Sequence, residues 1–187
     1  MGFDAIVIGS SAGGLNALKT IITGLPHNFS TPIILTQHLS PHSDSYIAEF
    51  LNQLSHLTIK EADGGEKIMP SHVYIAPPNF HLLVEEDFTL NLTVDEKINY
   101  SRPSIDILFE TAAIAYKNKL IGIILTGANN DGSNGIIQIK TFDGFTIAQS
   151  PESAEVAVMP RSAIETGHID KILPLQEIAA FLVSLCC

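Results

Sequence analysis

The chain opens on a buried-strand pattern that turns abruptly into a helix, and this junction constrains the fold more than any other stretch. Phe3-Asp4-Ala5-Ile6-Val7-Ile8 is mostly apolar and rich in β-formers, as a strand covered on both faces should be. Gly9-Ser10-Ser11-Ala12-Gly13-Gly14 follows, and then Leu15, Leu18, Ile21 and Ile22 recur at helical spacing. The order is strand, tight turn of small residues, helix. In an open parallel sheet such a turn lies at the carboxyl end of a strand, where these folds place their ligands. It also sits at a helix N-terminus, where free N–H groups and the helix dipole favour negative charge.

Three readings compete for the turn. A phosphate or dinucleotide loop has the wrong glycine spacing here: Gly9, Gly13 and Gly14 do not give G-x-G-x-x-G, and no G-K-[ST] is present. That reading also wants an acid at the end of the second strand, whereas Pro32-Ile33-Ile34-Leu35-Thr36-Gln37 runs into His38. A second reading makes Ser11 or Ser10 a nucleophile on a strand–helix elbow, with a histidine from the next strand end as its base. The third is purely structural, since small residues are needed wherever a helix packs close to a strand.

Charge and composition narrow the classes. The 187 residues carry 20 Asp and Glu against 10 Lys and Arg, a net charge of −10. No basic face is present for a nucleic acid or an anionic membrane surface. No basic segment followed by an apolar run opens the chain, and no apolar run approaches a membrane span, so the expected location is the cytoplasm. Cys186 and Cys187 are adjacent at the C-terminus and cannot staple the fold; they are read as exposed thiols. His38 and His42 are four apart, but Pro41 lies between them and no carboxylates complete a ligand set. No metal and no cofactor is expected.

The rest alternates strands with helices. Gly24-Leu25-Pro26 closes the first helix. A loop at Ser40-Pro41-His42-Ser43 leads to an amphipathic helix over 45–54, then a short strand near 57–60 and a turn at Asp63-Gly64-Gly65-Glu66. A strand over 72–76 follows, and residues 81–84 and 89–94 read as a hairpin across Glu85-Glu86-Asp87-Phe88. Arg102-Pro103-Ser104 opens a helix, with Pro103 expected in its first turn. Residues 120–125 form the strongest buried strand, followed by a helix over 136–141, a strand over 145–148, a short helix headed by Pro160, and a closing helix over 175–185. The predicted class is α/β: a doubly wound, mostly parallel sheet with an antiparallel hairpin appended.

Three strand ends carry polar chemistry: Ser10 and Ser11, then His38, then Asp131 after the 120–125 strand. The carboxyl ends of parallel strands share one edge, so these residues can converge. Serine, histidine and an acid are the parts of a hydrolytic triad. Their order differs from Ser, Asp/Glu, His of α/β-hydrolases, and no G-x-S-x-G is present.

Ile8-Gly9-Ser10-Ser11-Ala12-Gly13-Gly14, Gln37-His38, Tyr74-Ile75-Ala76-Pro77, Arg102-Pro103-Ser104, Leu125-Thr126-Gly127, Asn130-Asp131-Gly132, Ala148-Gln149 and Met159-Pro160-Arg161 together resemble the catalytic domain of CheB-type protein-glutamate methylesterases. The likeness runs through nearly the whole chain in order. It implies a catalytic domain over 1–187 that removes methyl esters from glutamates on the cytoplasmic helical bundle of chemoreceptors; some members also deamidate receptor glutamines. It implies Ser11 as nucleophile, His38 as general base and Asp131 as triad acid, with Ser10 in the small-residue position before the nucleophile. Where the family has Thr after the nucleophile this chain has Ala12, and the family's G-M-G-x-D-G loop reads Gly127-Ala128-Asn129-Asn130-Asp131-Gly132. The family's usual preceding receiver domain has no counterpart in these residues, so a stand-alone domain or a piece of a longer protein is expected. Two other functions are kept beside the esterase: a docking module with a weakened site, and a small-molecule carboxylesterase on the same triad.

Overall fold

The computed structural model describes residues 2–38, 46–98 and 100–187. His42 and the loop Ser40-Pro41-His42-Ser43 therefore lie outside the described residues. Seven strands form one sheet: β1 (Ala5–Ser10), β2 (Ile33–Gln37), β3 (Thr58–Glu61), β4 (His72–Ile75), then β7 (Leu120–Ile124), β8 (Phe145–Gln149) and β9 (Lys171–Leu173). Their spatial order is β3-β4-β2-β1-β7-β8-β9, and every pairing is parallel. The hairpin β5 (His81–Val84) and β6 (Leu90–Thr93) is a separate antiparallel sheet.

The strand periodicity dictates the layers. Ile6 and Ile8 of β1 join a cluster with α1 (Gly14–Thr23), α2 (Tyr46–Leu54) and α6 (Leu175–Cys186). Ala5 and Val7, pointing the other way, join a second cluster with α3 (Ile105–Tyr116), α4 (Ser133–Thr141), α5 (Val158–Glu165) and the hairpin. Strands β1, β2 and β7 are buried along their whole length, which is why they read as apolar runs rather than alternating ones. Burying each of their isoleucines is worth about 1.5–3 kcal/mol.

Several expectations change. α4 and α5 begin earlier than expected, at Ser133 and Val158, so Pro160 is the third residue of its helix and not its head. Pro103 does not stand in the first turn of its helix: α3 begins at Ile105 with Ser104 as N-cap, because its first N–H groups are taken by a carboxylate from another loop. The edge strand β9 has no counterpart in the sequence reading; it is three residues long and largely exposed, too short for a period to register. Of the terminal thiols only Cys187 is exposed; Cys186 is half-buried against the core, and burial raises its thiol pKa.

Candidate active site

The strand order turns at β1. The chain moves outward one way through β2 and the other way through β7, and the carboxyl ends of these three neighbours form the crevice where ligands bind in such sheets. Ser11 follows β1, His38 follows β2, and Asp131 lies in the loop between β7 and α4. The register pairs Ser10 with Gln37, and the His38 N–H donates to the Ser10 carbonyl at 2.9 Å. Ser11 and His38 thus sit one step beyond the last rung of adjacent strands, roughly 5 Å apart by strand spacing.

His38 and Asp131 come from opposite sides of β1 and meet. His38 Nε2 lies 2.8 Å from Asp131 Oδ2. The same oxygen accepts the Ile105 N–H at 2.7 Å, while Oδ1 accepts the Ser104 hydroxyl and the Asp106 N–H, each at 3.0 Å. Asp131 is fully buried. Burial pushes its carboxyl pKa up, but the hydrogen bonds from His38 and from the Ile105 and Asp106 N–H groups win, and it lies below the ordinary value. With every lone-pair direction facing a donor, Asp131 is an anion and Nε2 of His38 carries the hydrogen. The acceptor nitrogen of His38 is therefore Nδ1. The Asn129 amide nitrogen lies 3.4 Å from it, with Asn129 Oδ1 accepting the Asp131 N–H at 3.2 Å.

This convergence depends on a close approach. The N-terminus of α3 crosses the end of β1, and a Cβ on Gly9 would run into Ile105 Cγ2. Only glycine lets α3 sit low enough to present its first N–H groups to Asp131. Ser10 and Ser11 also separate clearly. Ser10 is fully buried, and its hydroxyl donates to Gln37 Oε1 at 2.6 Å. Ser11 is partly exposed, and its hydroxyl has no partner among the described residues.

The turn itself is fixed by backbone bonds. The Ser11 N–H donates to the Thr126 carbonyl at 3.0 Å, and the Gly14 N–H to the Ser11 carbonyl at 2.9 Å. Thr126 Oγ1 donates to the Ala12 carbonyl at 2.8 Å, tying the two loops together. Among the described residues the N–H groups of Ala12, Gly13 and Ala128 have no acceptor. A cavity of about 230 Å³ opens beside the turn, bounded by Gly13, Thr126, Gln149 and Glu155. A second cleft, lined by Asp4, Pro32, Phe88 and Tyr116, lies at the opposite edge of the sheet and plays no part in this arrangement. No group of three or more His, Cys, Asp or Glu among the described residues could hold a metal ion.

A family model for CheB methylesterase matches residues 6–182. The chain belongs to that family. A Leptospira interrogans relative is 50% identical over 185 residues, spanning 99% of this chain and 96% of its own length. A Thermotoga maritima protein-glutamate methylesterase/protein-glutamine glutaminase is 42% identical over 183 residues, spanning 96% of this chain and 53% of its own. The crystal structure of the Thermotoga maritima CheB methylesterase catalytic domain superposes with a TM-score of 0.95 at 41% identity, covering 99% of both chains. The α/β class expected from the sequence is thus the CheB methylesterase fold.

Two members of the site escaped the sequence reading. Gln37 was visible only as the residue before His38. Asp106 lies 3% exposed on α3, where its spacing to Phe109 and Ala113 puts it on the buried face. A carboxylate at such a position is the signal that could have found it.

Proposed function

We propose that this CheB-family chain is a cytoplasmic serine hydrolase that cleaves γ-methyl esters of glutamates on chemoreceptor helical bundles. Ser11 is the nucleophile, His38 the general base and Asp131 the acid that holds His38. The observation that carries this is the 2.8 Å His38–Asp131 contact, at the end of the strand next to Ser11, a partly exposed residue whose hydroxyl is unengaged among the described residues.

His38 Nδ1 takes the proton as Ser11 Oγ attacks the γ-carbonyl carbon. The tetrahedral intermediate collapses by expelling methoxide, which leaves as methanol with the proton from Nδ1. Water, activated at the same nitrogen, then cleaves the acyl-enzyme and frees the glutamate. Asp131 stabilises the imidazolium in both halves. The unengaged N–H groups of Ala12, Gly13 and Ala128 are the donors available to the oxyanion, each worth roughly 3–4 kcal/mol where such donors have been removed from other hydrolases. A glutamine side chain fits the same sequence of steps with ammonia as the leaving group, in keeping with the second activity in the relatives' names. The exchange of one leaving group for the other needs no group beyond these side chains.

The test is methanol release from a methylated receptor fragment. Wild type is expected to release methanol, and Ser11→Ala to lose that release while keeping its fold. Equal rates in the two proteins would remove the reading, and an inactive wild type would favour the docking alternative.

A further inference from the structure

Gln37 closes β2 and is 5% exposed. Its side-chain Nε2 donates to the backbone carbonyls of Ser11 at 2.8 Å and His38 at 2.9 Å. Its Oε1 accepts the Ser10 hydroxyl at 2.6 Å. Carbonyl oxygens can only accept, so the two amide hydrogens must face them, and the orientation of the group follows. One planar amide thereby fastens the backbones of Ser11 and His38 to each other, using both of its hydrogens to do so.

We infer that Gln37 is a positioning residue for the reaction, setting the separation of the Ser11 hydroxyl from the His38 ring. The inference rests on the roles assigned to Ser11 and His38 above. A second feature points the same way. A Cβ on Gly14 would fall on Gln37 Oε1, within 2.8 Å of its Cδ and 2.9 Å of Ser10 Oγ. Gly14 is the first residue of α1, and its φ is not left-handed. Helix propensity alone would prefer alanine there. The empty space at Gly14 is the space that the Gln37 amide fills.

The experiment is a double-mutant cycle between positions 37 and 14, read as kcat and KM on the methylated fragment and as the rate at which a serine-directed acylating probe labels Ser11. Gln37→Glu is nearly isosteric and keeps an acceptor for Ser10, but it sets oxygen against two carbonyls. It is expected to lower kcat roughly 10- to 100-fold, the scale of a misplacement of about 1 Å, with KM within twofold of wild type. Gly14→Ala should cost a similar factor in the wild-type background and nothing further beside Gln37→Ala, because the Gln37 amide it strikes is then gone and the Ser10 hydroxyl, no longer held by Oε1, is free to turn away. Ile178→Ala, buried on α6 in the core cluster and apart from the hydrogen bonds that join Ser11, His38 and Gln37, calibrates how activity responds to lost stability.

Three results would overturn the inference: Gln37→Glu retaining wild-type kcat, an activity loss that merely tracks unfolding temperature as for Ile178→Ala, or losses at positions 37 and 14 that multiply. A wild type that labels at Ser11 but releases no methanol would overturn the substrate and leave positioning to be read from the labelling rate. Failure of Ser11 to label at all would overturn both.

Discussion

At the scale of single residues, Asp131 does two things at once, and this separates it from a triad acid whose only neighbour is histidine. Its Oδ2 faces His38 Nε2 and the Ile105 N–H, and its Oδ1 faces the Ser104 hydroxyl and the Asp106 N–H. An asparagine in place of the acid would turn its NH2 toward a backbone N–H whichever way it pointed. Asp131→Asn is therefore expected to lose stability by roughly 1–3 kcal/mol, the cost of a buried donor left unpaired. It should also lose activity by about 10⁴-fold, as the corresponding exchange does in the serine protease triad. Denaturant unfolding and methanol release measure the two losses; an active and equally stable variant would refute the arrangement. The pH dependence follows in sign. A carboxyl whose folded pKa lies below its unfolded value near 3.9 contributes stability that is fully present above that value. This contribution is lost as pH falls through the depressed folded value, so acid unfolding should be shallower in Asp131→Asn.

At the scale of elements, α3 and α4 cap one another. Asp131, just before α4, takes the first N–H groups of α3, and Asp106, in the first turn of α3, accepts the Gly135 N–H of α4 at 2.8 Å. Neither helix is capped by its own N-cap side chain. Burial raises the Asp106 pKa, and the nearby Asp131 charge adds to the rise against the Gly135 hydrogen bond. Glu110, one turn on, is raised by burial and by the same two charges. A raised carboxyl binds more protons folded than unfolded, so stability falls as pH rises from about 4 to the raised value. A neutral amide at this position can still accept from Gly135, so Asp106→Asn should match or exceed wild-type stability at pH 7.5 and show a weaker decline between about pH 4 and pH 7.5. Urea midpoints at the two pH values check this, and an unchanged decline would move the effect elsewhere. Helix capping of this kind also marks the limit of sequence reading. The buried strands and amphipathic helices are legible because each writes its own pattern, an unbroken apolar run or a helical period, into a short stretch. A cap lent by a residue some 25 positions away writes none, and Pro103 is therefore misplaced by two residues. The candidate triad is legible for another reason: it stands at the ends of the best-defined strands, and a parallel sheet gathers those ends on one edge.

At the scale of the whole molecule, the sheet puts its chemistry on the carboxyl edge of a strongly acidic chain. Glu152 and Glu155 are exposed on the loop after β8, and Asp95 and Glu96 on the segment leading to α3. Arg102 on the same segment is engaged, its guanidinium donating to Asn79 Oδ1 and to the Val94 and Asp95 carbonyls. These acceptors are uncharged, so Arg102 keeps its positive charge and, with the exposed Lys97 and Arg161, offsets part of the four carboxylates locally; the long-range field has the sign of the net charge of −10 and opposes the approach of an acidic protein. Like-charge encounter is slowed at low salt and recovers as the Debye length shrinks from about 30 Å at 0.01 M to about 8 Å at 0.15 M. For a methylated receptor fragment of net negative charge, kcat/KM should rise over that salt range while kcat stays constant. A neutral methyl ester too small to carry charge should show no such rise, which separates the field from any salt effect on the site itself. A kcat/KM for the acidic fragment that falls with salt would mean that a local cationic contact outweighs the field, with Arg161, exposed on α5, the first side chain to replace.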